Sequence, residues 1–304
     1  MTRVLLLGAT GFLGKHVHDV LGRQPGIDVV TVARSALSES PGHVPFDLGL
    51  ADVGALRGLI TAAAPDVVIN CVGAVGGSMT QLAESNVELP ARLVRALLEC
   101  PTPPRLVHLG SAAEYGRVEI GVPVTEETAT APVGAYGLSK LAGTRAIGIG
   151  RAAGLNTVVL RVFNPIGPGS PATGLAGRVA AEIVRARREH DEIRLGPLDV
   201  VRDFVDARDV ARAVSAAALS TVDEEILNVG SGIGTPAAGL VAELTRIAGH
   251  SGPVSEQGRG SERSADVPWQ RADLSVIERS LGWRPEHDLT DSLTAQWREV
   301  ACHA

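Results

Sequence analysis

Tyr136 and Lys140 are the two residues of this 304-residue chain whose types and spacing point most directly to chemistry. Residues four apart share one face of an α-helix, so the phenol and the ammonium would project together. A phenol with the ordinary pKa of about 10 is a weak acid at neutral pH, and a nearby ammonium lowers that pKa. The spacing therefore predicts a group that exchanges a proton. An isolated pair of this kind is more often a surface tyrosine beside a solvated lysine.

A glycine-rich turn near the start of the chain predicts a second kind of site. An apolar run at 4–7 precedes the turn, and a helical pattern follows it. Gly8 allows a sharp bend, Gly11 allows the backbone to approach phosphates, and Gly14 allows the helix to pack against the strand. The first helical N–H groups then offer partial positive charge to an anion. We predict that a dinucleotide pyrophosphate binds the residues of this turn, namely Gly8, Thr10, Gly11, Phe12, Leu13 and Gly14.

Apolar runs that alternate with helical stretches would position these residues. The predicted strands are 3–8, 28–33, 66–71, 105–110, 156–162 and 226–230. The predicted helices are 12–23, 52–63, 86–99, 135–153, 174–189, 208–219, 236–248, 273–281 and 289–300. Strands made almost entirely of Val, Leu and Ile are typical of a parallel sheet with helices on both faces. The expected fold class is α/β, a doubly wound parallel Rossmann sheet with a smaller mixed α/β substrate-binding domain.

The pattern of alternating strands and helices changes after Phe163. We predict a loop at 164–169, followed by a helix rich in Ala and Arg. Residues 1–165 are expected to form the cofactor-binding domain, with 205–230 returning to it. The substrate-binding domain would comprise 166–204 and 231–304. The cleft between the two domains is the expected active site.

Composition and charge exclude several classes of function. A net charge of −6 argues against nucleic acid or an acidic membrane as the partner. The three cysteines form no Cys-x-x-Cys pair, and the eight histidines lack metal-ligand spacing, so we expect reduced thiols and no metal. The sequence contains no run of about 18 apolar residues. It also leaves no room for a signal peptide before the first strand, so a cytoplasmic protein without a membrane span is expected.

Ser111 follows the predicted strand 105–110, and residues just past the carboxyl ends of parallel strands point into the ligand crevice. Taken alone, it could also be an ordinary serine of a turn. Ser111 lies four residues before a Tyr-Gly pair. Together with the Gly-x-x-Gly-x-x-Gly turn and the Tyr136/Lys140 pair, this arrangement resembles the extended short-chain dehydrogenase/reductase family, also called the NAD-dependent epimerase/dehydratase family. The resemblance spans about 3–300 and implies that Ser111, Tyr136 and Lys140 are the catalytic residues.

The residues after Ser111 narrow the reaction that this resemblance implies. Related dehydratases carry acidic residues two to three positions before the tyrosine that matches Tyr115, and related epimerase-reductases carry a cysteine two positions before it. Ala112 and Ala113 occupy those positions here, and alanine cannot exchange a proton. Hydride transfer at one carbon remains, with Tyr136 handling the proton. Glu114 is one position away and is expected to face away from the site.

Cofactor preference is predicted from the end of the second strand. Relatives that prefer NAD carry an Asp at about the position of Ala33, whereas Arg34 and Ser35 here could bind a 2′-phosphate. This favours NADP(H), the alternative being a solvated arginine at a strand end. The resemblance also implies three further sets of cofactor contacts. Asp47 and Leu48 would meet the adenine, and Cys71, Val72 and Gly73 would pass under the cofactor. Phe163, Pro165 and Ile166 would hold the nicotinamide.

The substrate side of the resemblance rests on arginines. In relatives, the two arginines that match Arg202 and Arg263 clamp the diphosphate of a nucleotide sugar, an anion that a guanidinium fork suits. Arg178, in the helix predicted at 174–189, is a weaker third candidate. Asn164 matches the asparagine that meets the substrate in relatives.

The function that the resemblance implies is an NADPH-dependent ketoreductase acting on a nucleotide-diphospho-4-keto-6-deoxyhexose. The expected partner is a nucleotide-diphosphate sugar or a related small-molecule ketone. The pattern is most similar to GDP-4-keto-6-deoxymannose reductases and dTDP-4-keto-6-deoxysugar ketoreductases. The alternatives are a nucleotide-sugar 4-epimerase with tightly bound NAD(P) and a non-catalytic NADP-sensing protein on the same fold. Because relatives often pair through a four-helix interface, we expect a homodimer formed by helices 86–99 and 135–153. Close packing against a partner helix would explain four glycines in and just after the second of these helices, namely Gly143, Gly148, Gly150 and Gly154.

Overall fold

The computed structural model describes residues 1–34, 42–257 and 266–302. Seven parallel strands form its central sheet, in the spatial order β10-β6-β5-β4-β1-β2-β3. Their bounds are β1 Thr2–Leu7, β2 Ile27–Ala33, β3 His43–Pro45, β4 Val67–Asn70, β5 Arg105–Ser111, β6 Thr157–Val162 and β10 Ile226–Val229. The doubly wound parallel sheet predicted from the sequence is confirmed.

Helices cover both faces of this sheet because its apolar strands are buried on both sides. The helices are α1 Phe12–Gly22, α2 Val53–Ala63, α3 Met79–Ala83, α4 Leu89–Leu98, α5 Gly134–Ala152, α6 Leu175–Glu189, α7 Ala207–Leu219, α8 Ala237–Ala248, α9 Ser275–Leu281 and α10 Leu289–Ala301. On one face the sheet packs against Val17 of α1 and Val214 of α7. On the other it packs against Leu56 of α2, Leu93 of α4 and Ile147 of α5.

A second and smaller layer lies beyond the carboxyl end of β6. Its three-stranded sheet has β9 Val201–Asp206 at the centre, parallel to β7 Asn164–Ile166 and antiparallel to β11 Gly234–Pro236. A two-stranded sheet pairs β8 Ile193–Arg194 with β12 Val254–Ser255. Helices α6, α8 and α10 enclose a core of their own, which includes Val179, Ile183, Leu240, Leu244 and Leu293.

Two predicted elements differ in the structure. The segment 164–169, predicted as a loop, contains β7, which is held by pairing with β9 nearly 40 residues later in the chain. The predicted helix 86–99 begins earlier, as a π-helical turn at Glu84–Glu88 that continues into α4. Neither feature has a local sequence pattern of its own, because both depend on neighbours distant in sequence.

The glycines of α5 serve a contact within the chain. A Cβ added at Gly143 would lie 2.2 Å from the carbonyl oxygen of Asn86, and one at Gly150 would lie 2.9 Å from a methyl of Val94. Helix α5 therefore packs backbone-to-backbone against the π-helical turn and α4 of the same molecule. In the part of the chain that the structure describes, no helix is long and apolar enough to span a bilayer.

Candidate active site

The glycine-rich turn joins β1 to α1 in the geometry that the sequence predicts. Gly8 has φ +81°, in the left-handed region that favours glycine, and α1 begins at Phe12. A Cβ at Gly14 would lie only 2.0 Å from the carbonyl oxygen of Gly8. The strand β1 and the helix α1 therefore approach more closely than any residue other than glycine at position 14 would permit. The first turn of α1 leaves backbone N–H groups available for an anion.

The three predicted catalytic residues line one cleft, with a volume of about 600 Å³. Ser111 is the last residue of β5, whereas Tyr136 and Lys140 project from the first half of α5. The Ser111 hydroxyl oxygen accepts a hydrogen bond from the backbone N–H of Ala113 at 3.2 Å, so its own proton remains available to be donated. The ammonium of Lys140 donates to the carbonyl oxygen of Leu109 at 2.5 Å.

The environment of Lys140 controls its charge. Burial lowers the pKa of its ammonium, and the negative charge of Glu114 opposes that effect. Burial raises the pKa of the Cys71 thiol to about 12, with the charge of Lys140 opposing this only in part. Cys71 therefore remains a neutral thiol beside the cleft at physiological pH and is a poor nucleophile.

Many of the predicted ligand-binding residues also line this cleft. Those from the cofactor prediction are Gly11, Phe12, Leu13, Cys71, Val72, Gly73, Phe163, Pro165 and Ile166. Those from the substrate prediction are Asn164, Arg178 and Arg202. The cleft thus joins the carboxyl edge of the large sheet to the smaller layer, which is the usual location of ligands in doubly wound folds.

Other predicted residues are placed differently. Arg34 and Asp47 are exposed, and Asp47 accepts a hydrogen bond from the backbone N–H of Gly49 at 2.9 Å. Leu48 is buried in the core that packs beneath α2. The roles of these residues at the adenosine end stay predictions, as do those of Gly8, Thr10 and Gly14. Ser35 and Arg263 lie outside the described residues.

The side of the cleft formed by the smaller layer, called the lid side below, combines one buried cation with apolar walls. Arg202 is only 5% exposed, and its guanidinium donates to the carbonyl oxygens of Val201 at 2.9 Å and Val267 at 2.5 Å. Burial lowers the pKa of Arg202 to about 10. The Asn164 side chain donates to the carbonyl oxygen of Asp203 at 3.0 Å. Apolar residues complete the wall, among them Leu195, Leu198, Val200 and Phe204.

Two amide side chains that the sequence did not identify brace the cleft. The buried Asn86 accepts from the Ala74 N–H at 2.9 Å and donates to the Ser139 hydroxyl at 3.0 Å, so it links the loop after β4 to α5. Gln270 donates to the carbonyl oxygens of Ala112 at 3.1 Å and of Gly116 at 2.9 Å. No local pattern identifies either residue, because both contacts join distant segments.

Glu114 does not line the cleft, as expected, but it is fully buried directly behind it. Its carboxylate forms an ion pair with Arg161 at 2.9 Å. Within residues 1–34, 42–257 and 266–302, no group of three or more His, Cys, Asp or Glu side chains could hold a metal ion.

Several known proteins are similar to this chain in sequence. A protein from Kitasatospora kifunensis named dTDP-6-deoxy-L-talose 4-dehydrogenase (NAD(P)(+)) is 37% identical over 307 residues, covering 97% of this chain and 94% of its own. GDP-6-deoxy-D-mannose reductase of Pseudomonas aeruginosa is 27% identical over 308 residues, covering 96% and 95%. UDP-glucose 4-epimerase of Azospirillum brasilense is 29% identical over 320 residues, covering 96% and 89%.

Solved structures share the same fold. RMD from Pseudomonas aeruginosa, complexed with NADPH, has a TM-score of 0.84 at 24% identity, with all of both chains covered. UDP-glucuronic acid 4-epimerase from Bacillus cereus, complexed with UDP-glucuronic acid and NAD, has a TM-score of 0.86 at 20% identity, covering 99% of this chain and 100% of its own. The model of the NAD dependent epimerase/dehydratase family matches residues 4–230. The chain therefore belongs to that family, the extended branch of the short-chain dehydrogenases/reductases.

Proposed function

We propose that this protein is an NADPH-dependent ketoreductase that acts on a nucleotide-diphospho-4-keto-6-deoxyhexose. The observation that carries the proposal is that Ser111, Tyr136 and Lys140 share one cleft with the glycine-rich turn. The name of the Kitasatospora relative supports it further, because that protein is called a 4-dehydrogenase of a dTDP-6-deoxy sugar. Oxidation of a C4 hydroxyl and reduction of a C4 ketone are the two directions of one reaction.

The residues of the cleft suit the protons of this reaction. When bound, the nicotinamide supplies the hydride that reduces the keto carbon. Tyr136 donates its phenolic proton to the carbonyl oxygen, which becomes the new hydroxyl. The positive charge of Lys140 favours the phenolate that remains on Tyr136. The Ser111 hydroxyl donates a hydrogen bond to the same substrate oxygen and holds it in line.

The glycine-rich turn fits a dinucleotide cofactor. Gly14 leaves no space between β1 and α1, and Gly8 adopts the positive φ that the sharp turn between them requires. Arg34 is exposed just after β2, where its planar guanidinium could bind a 2′-phosphate. The preference for NADP(H) rests on this residue, since the relatives' names and complexes include both NADP and NAD.

A nucleotide diphosphate suits the lid side. The charged residues that line the cleft within the described chain are Lys140, Arg178 and Arg202, all of them cations. An anionic ligand would offset the cost of burying Arg202. The similarity to a dTDP-sugar dehydrogenase favours dTDP over the other nucleotides.

A 4-epimerase is the second candidate, supported by the similarity to UDP-glucose 4-epimerase of Azospirillum brasilense. The same tyrosine and serine would serve it, since an epimerase oxidises and then reduces one carbon. Such an enzyme recycles its cofactor and consumes none.

Net consumption of NADPH separates the two candidates. We expect absorbance of reduced nicotinamide to fall when the protein, NADPH and dTDP-4-keto-6-deoxyglucose are mixed. The matched GDP- and UDP-linked keto-sugars would react more slowly. Interconversion of nucleotide sugars without loss of NADPH would favour the epimerase and contradict the proposal. A thermal-shift series of the same nucleotides identifies the base, because a ligand at 100 times its Kd stabilises by about 2.7 kcal/mol.

A homodimer through α4 and α5 belongs to the same proposal. Leu98 in α4 and Leu138 and Ile149 in α5 are exposed apolar residues, at 42%, 59% and 69%. Light scattering should report about twice the 31.5 kDa of one chain. Ile149→Lys should then yield the monomer.

A further inference from the structure

Glu114 joins the catalytic serine to the catalytic helix through one buried carboxylate. It ends the short 3-10 turn Ala112–Glu114 that follows β5. One carboxylate oxygen accepts the backbone N–H of Ser111 at 2.8 Å and the Thr144 hydroxyl at 3.0 Å. The other accepts from Arg161 at 2.9 Å, on β6. Three neighbouring elements therefore meet at one side chain.

The position of Thr144 makes this link significant. Tyr136, Lys140 and Thr144 lie at successive four-residue intervals along α5, so they share one face of the helix. The first two face the cleft, and the third binds Glu114 behind it. Any rotation or translation of α5 relative to Ser111 would break that hydrogen bond.

The backbone is shaped around this carboxylate. A Cβ added at Gly110 would lie 2.7 Å from a Glu114 carboxylate oxygen and 2.9 Å from a methyl of Val159. Glycine at this position in β5 allows the carboxylate to lie directly against the strand. Because Glu114 is fully buried, its hydrogen bonds and its ion pair with Arg161 must offset a large desolvation cost.

Glu114 is also the anion that faces Lys140. The other titratable groups near Lys140 are Tyr136 one turn earlier in α5, Cys71 after β4 and His108 on β5, and Arg161 on β6 lies behind Glu114. Cys71 is a neutral thiol, and burial lowers the pKa of His108 far enough to keep its imidazole neutral. Among these groups the carboxylate of Glu114 is the one that most strongly opposes the effect of burial on the pKa of the Lys140 ammonium.

We propose that Glu114 is a positioning residue, which ties Ser111 to α5 through Thr144 and faces Lys140 with a negative charge. This inference rests on the ketoreductase proposed above. It assigns a role outside the cleft, because Glu114 touches neither substrate nor cofactor.

Two variants separate the hydrogen-bonded link from Ser111 through Glu114 to Thr144, called the tether below, from the negative charge of Glu114. Glu114→Gln removes the charge, and we expect kcat to fall roughly ten- to hundred-fold with little change in KM, since misplacement of the catalytic groups affects the reacting geometry. Without that charge the pKa of Lys140 falls further, so the alkaline limb of the kcat profile should move to lower pH. Thr144→Val removes only the hydroxyl. It should lower kcat and leave the limb in place, and Thr144→Ser should restore kcat.

Asp209→Asn is the matched control. Asp209 on α7 is likewise fully buried and forms an ion pair, with Arg212 at 2.6 Å, but it does not line the cleft. Loss of the Asp209 charge should lower Tm without shifting the alkaline limb of the kcat profile. An unshifted limb and an unchanged kcat in Glu114→Gln would overturn the inference.

Hydrogen exchange at the Ser111 amide tests the tether without any substrate. This N–H should exchange slowly in the wild-type chain and at least ten times faster in Glu114→Ala, because its acceptor is gone. Equal exchange in both proteins would overturn the tether even if the enzyme turns over keto-sugars. If the wild-type chain reduces no keto-sugar nucleotide, the ketoreductase proposal fails. Exchange then still decides whether Glu114 fixes Ser111.

Discussion

The two ends of the cleft hold their buried cations in different ways. At the reacting end, Lys140 faces the buried carboxylate of Glu114, which is itself held by Ser111 and Thr144. At the lid end, Arg202 donates to main-chain carbonyl oxygens, and burial lowers its pKa to about 10. The first cation faces a carboxylate, whereas the hydrogen bonds described for the second go to main-chain carbonyl oxygens beside the apolar wall of the cleft.

This difference suggests how each end works. A counter-charge within the fold keeps Lys140 charged and in place before any ligand arrives, which is the preorganisation that catalysis requires. A guanidinium that lines the cleft, as Arg202 does, suits an anionic ligand that enters it. Substitutions at the reacting end should therefore affect kcat, and substitutions at the lid end should affect KM.

Tyr136→Phe should have the largest effect, because it removes the transferable proton and leaves the ring in place. We expect kcat to fall about 10²- to 10⁴-fold. The Kd for NADPH, measured by quenching of intrinsic fluorescence, should stay within a factor of about two, which is under 0.5 kcal/mol. Tyr115→Phe is the control, since Tyr115 is fully buried and donates to Asn228 at 2.7 Å rather than lining the cleft. Wild-type turnover by Tyr136→Phe would show that Tyr136 does not donate the proton, and the contrast between the two ends of the cleft would then fail.

Gly14→Ala should come next, because the backbone beneath the cofactor site is fixed as firmly as the reacting end. The added methyl would lie 2.0 Å from the Gly8 carbonyl oxygen, so β1 and α1 must separate. We expect a loss of about 1–3 kcal/mol in the free energy of unfolding and much weaker NADPH binding. In Gly58→Ala, within α2, the new methyl meets no atom within 4 Å, and stability should rise by about 0.5–1 kcal/mol. Equal free energies of unfolding for the two variants, measured with urea, would contradict the close approach of β1 to α1.

Much of the reacting end could be predicted because its information is local. The glycine turn, the strand β5 and the helix α5 each have a pattern within about 20 residues, and their predicted bounds agree with the structure to within two residues. The six predicted strands occur in one parallel sheet. Confirmation of the family adds to this agreement.

The remainder could not be predicted because its contacts are distant in sequence. From the sequence, Glu114 is expected only to face away from the site. The packing of Arg161 and Thr144 around it is what makes it a buried ion-pair partner. Strands β8 and β12 have two residues each and exist only through their mutual pairing. No periodicity can appear in so short a segment.

Arg202→Leu tests the lid end and should have an intermediate effect. We expect KM for the nucleotide sugar to rise roughly ten- to hundred-fold, equivalent to losing about 1.5–3 kcal/mol of charge-assisted bonding. The Kd for NADPH should not change. Arg202→Lys keeps the charge without the planar fork, so its KM should lie between that of the wild-type chain and that of Arg202→Leu. A fall in kcat with an unchanged KM would mean that the two ends do not divide the work as proposed.

Arg34→Ser should have the smallest effect, because Arg34 is exposed and any bond it makes competes with water. We expect KM for NADPH to rise about ten-fold and KM for NADH to stay the same, so that the preference narrows by roughly 1.4 kcal/mol. Arg57→Ser is the matched control, since Arg57 in α2 is also exposed but pairs with Glu99 at the end of α4, at 3.0 Å. Its kinetics with both cofactors should equal those of the wild-type chain. An equal loss with NADPH and NADH in Arg34→Ser would assign Arg34 to a part of the cofactor that both share, and the NADP preference would then need another source.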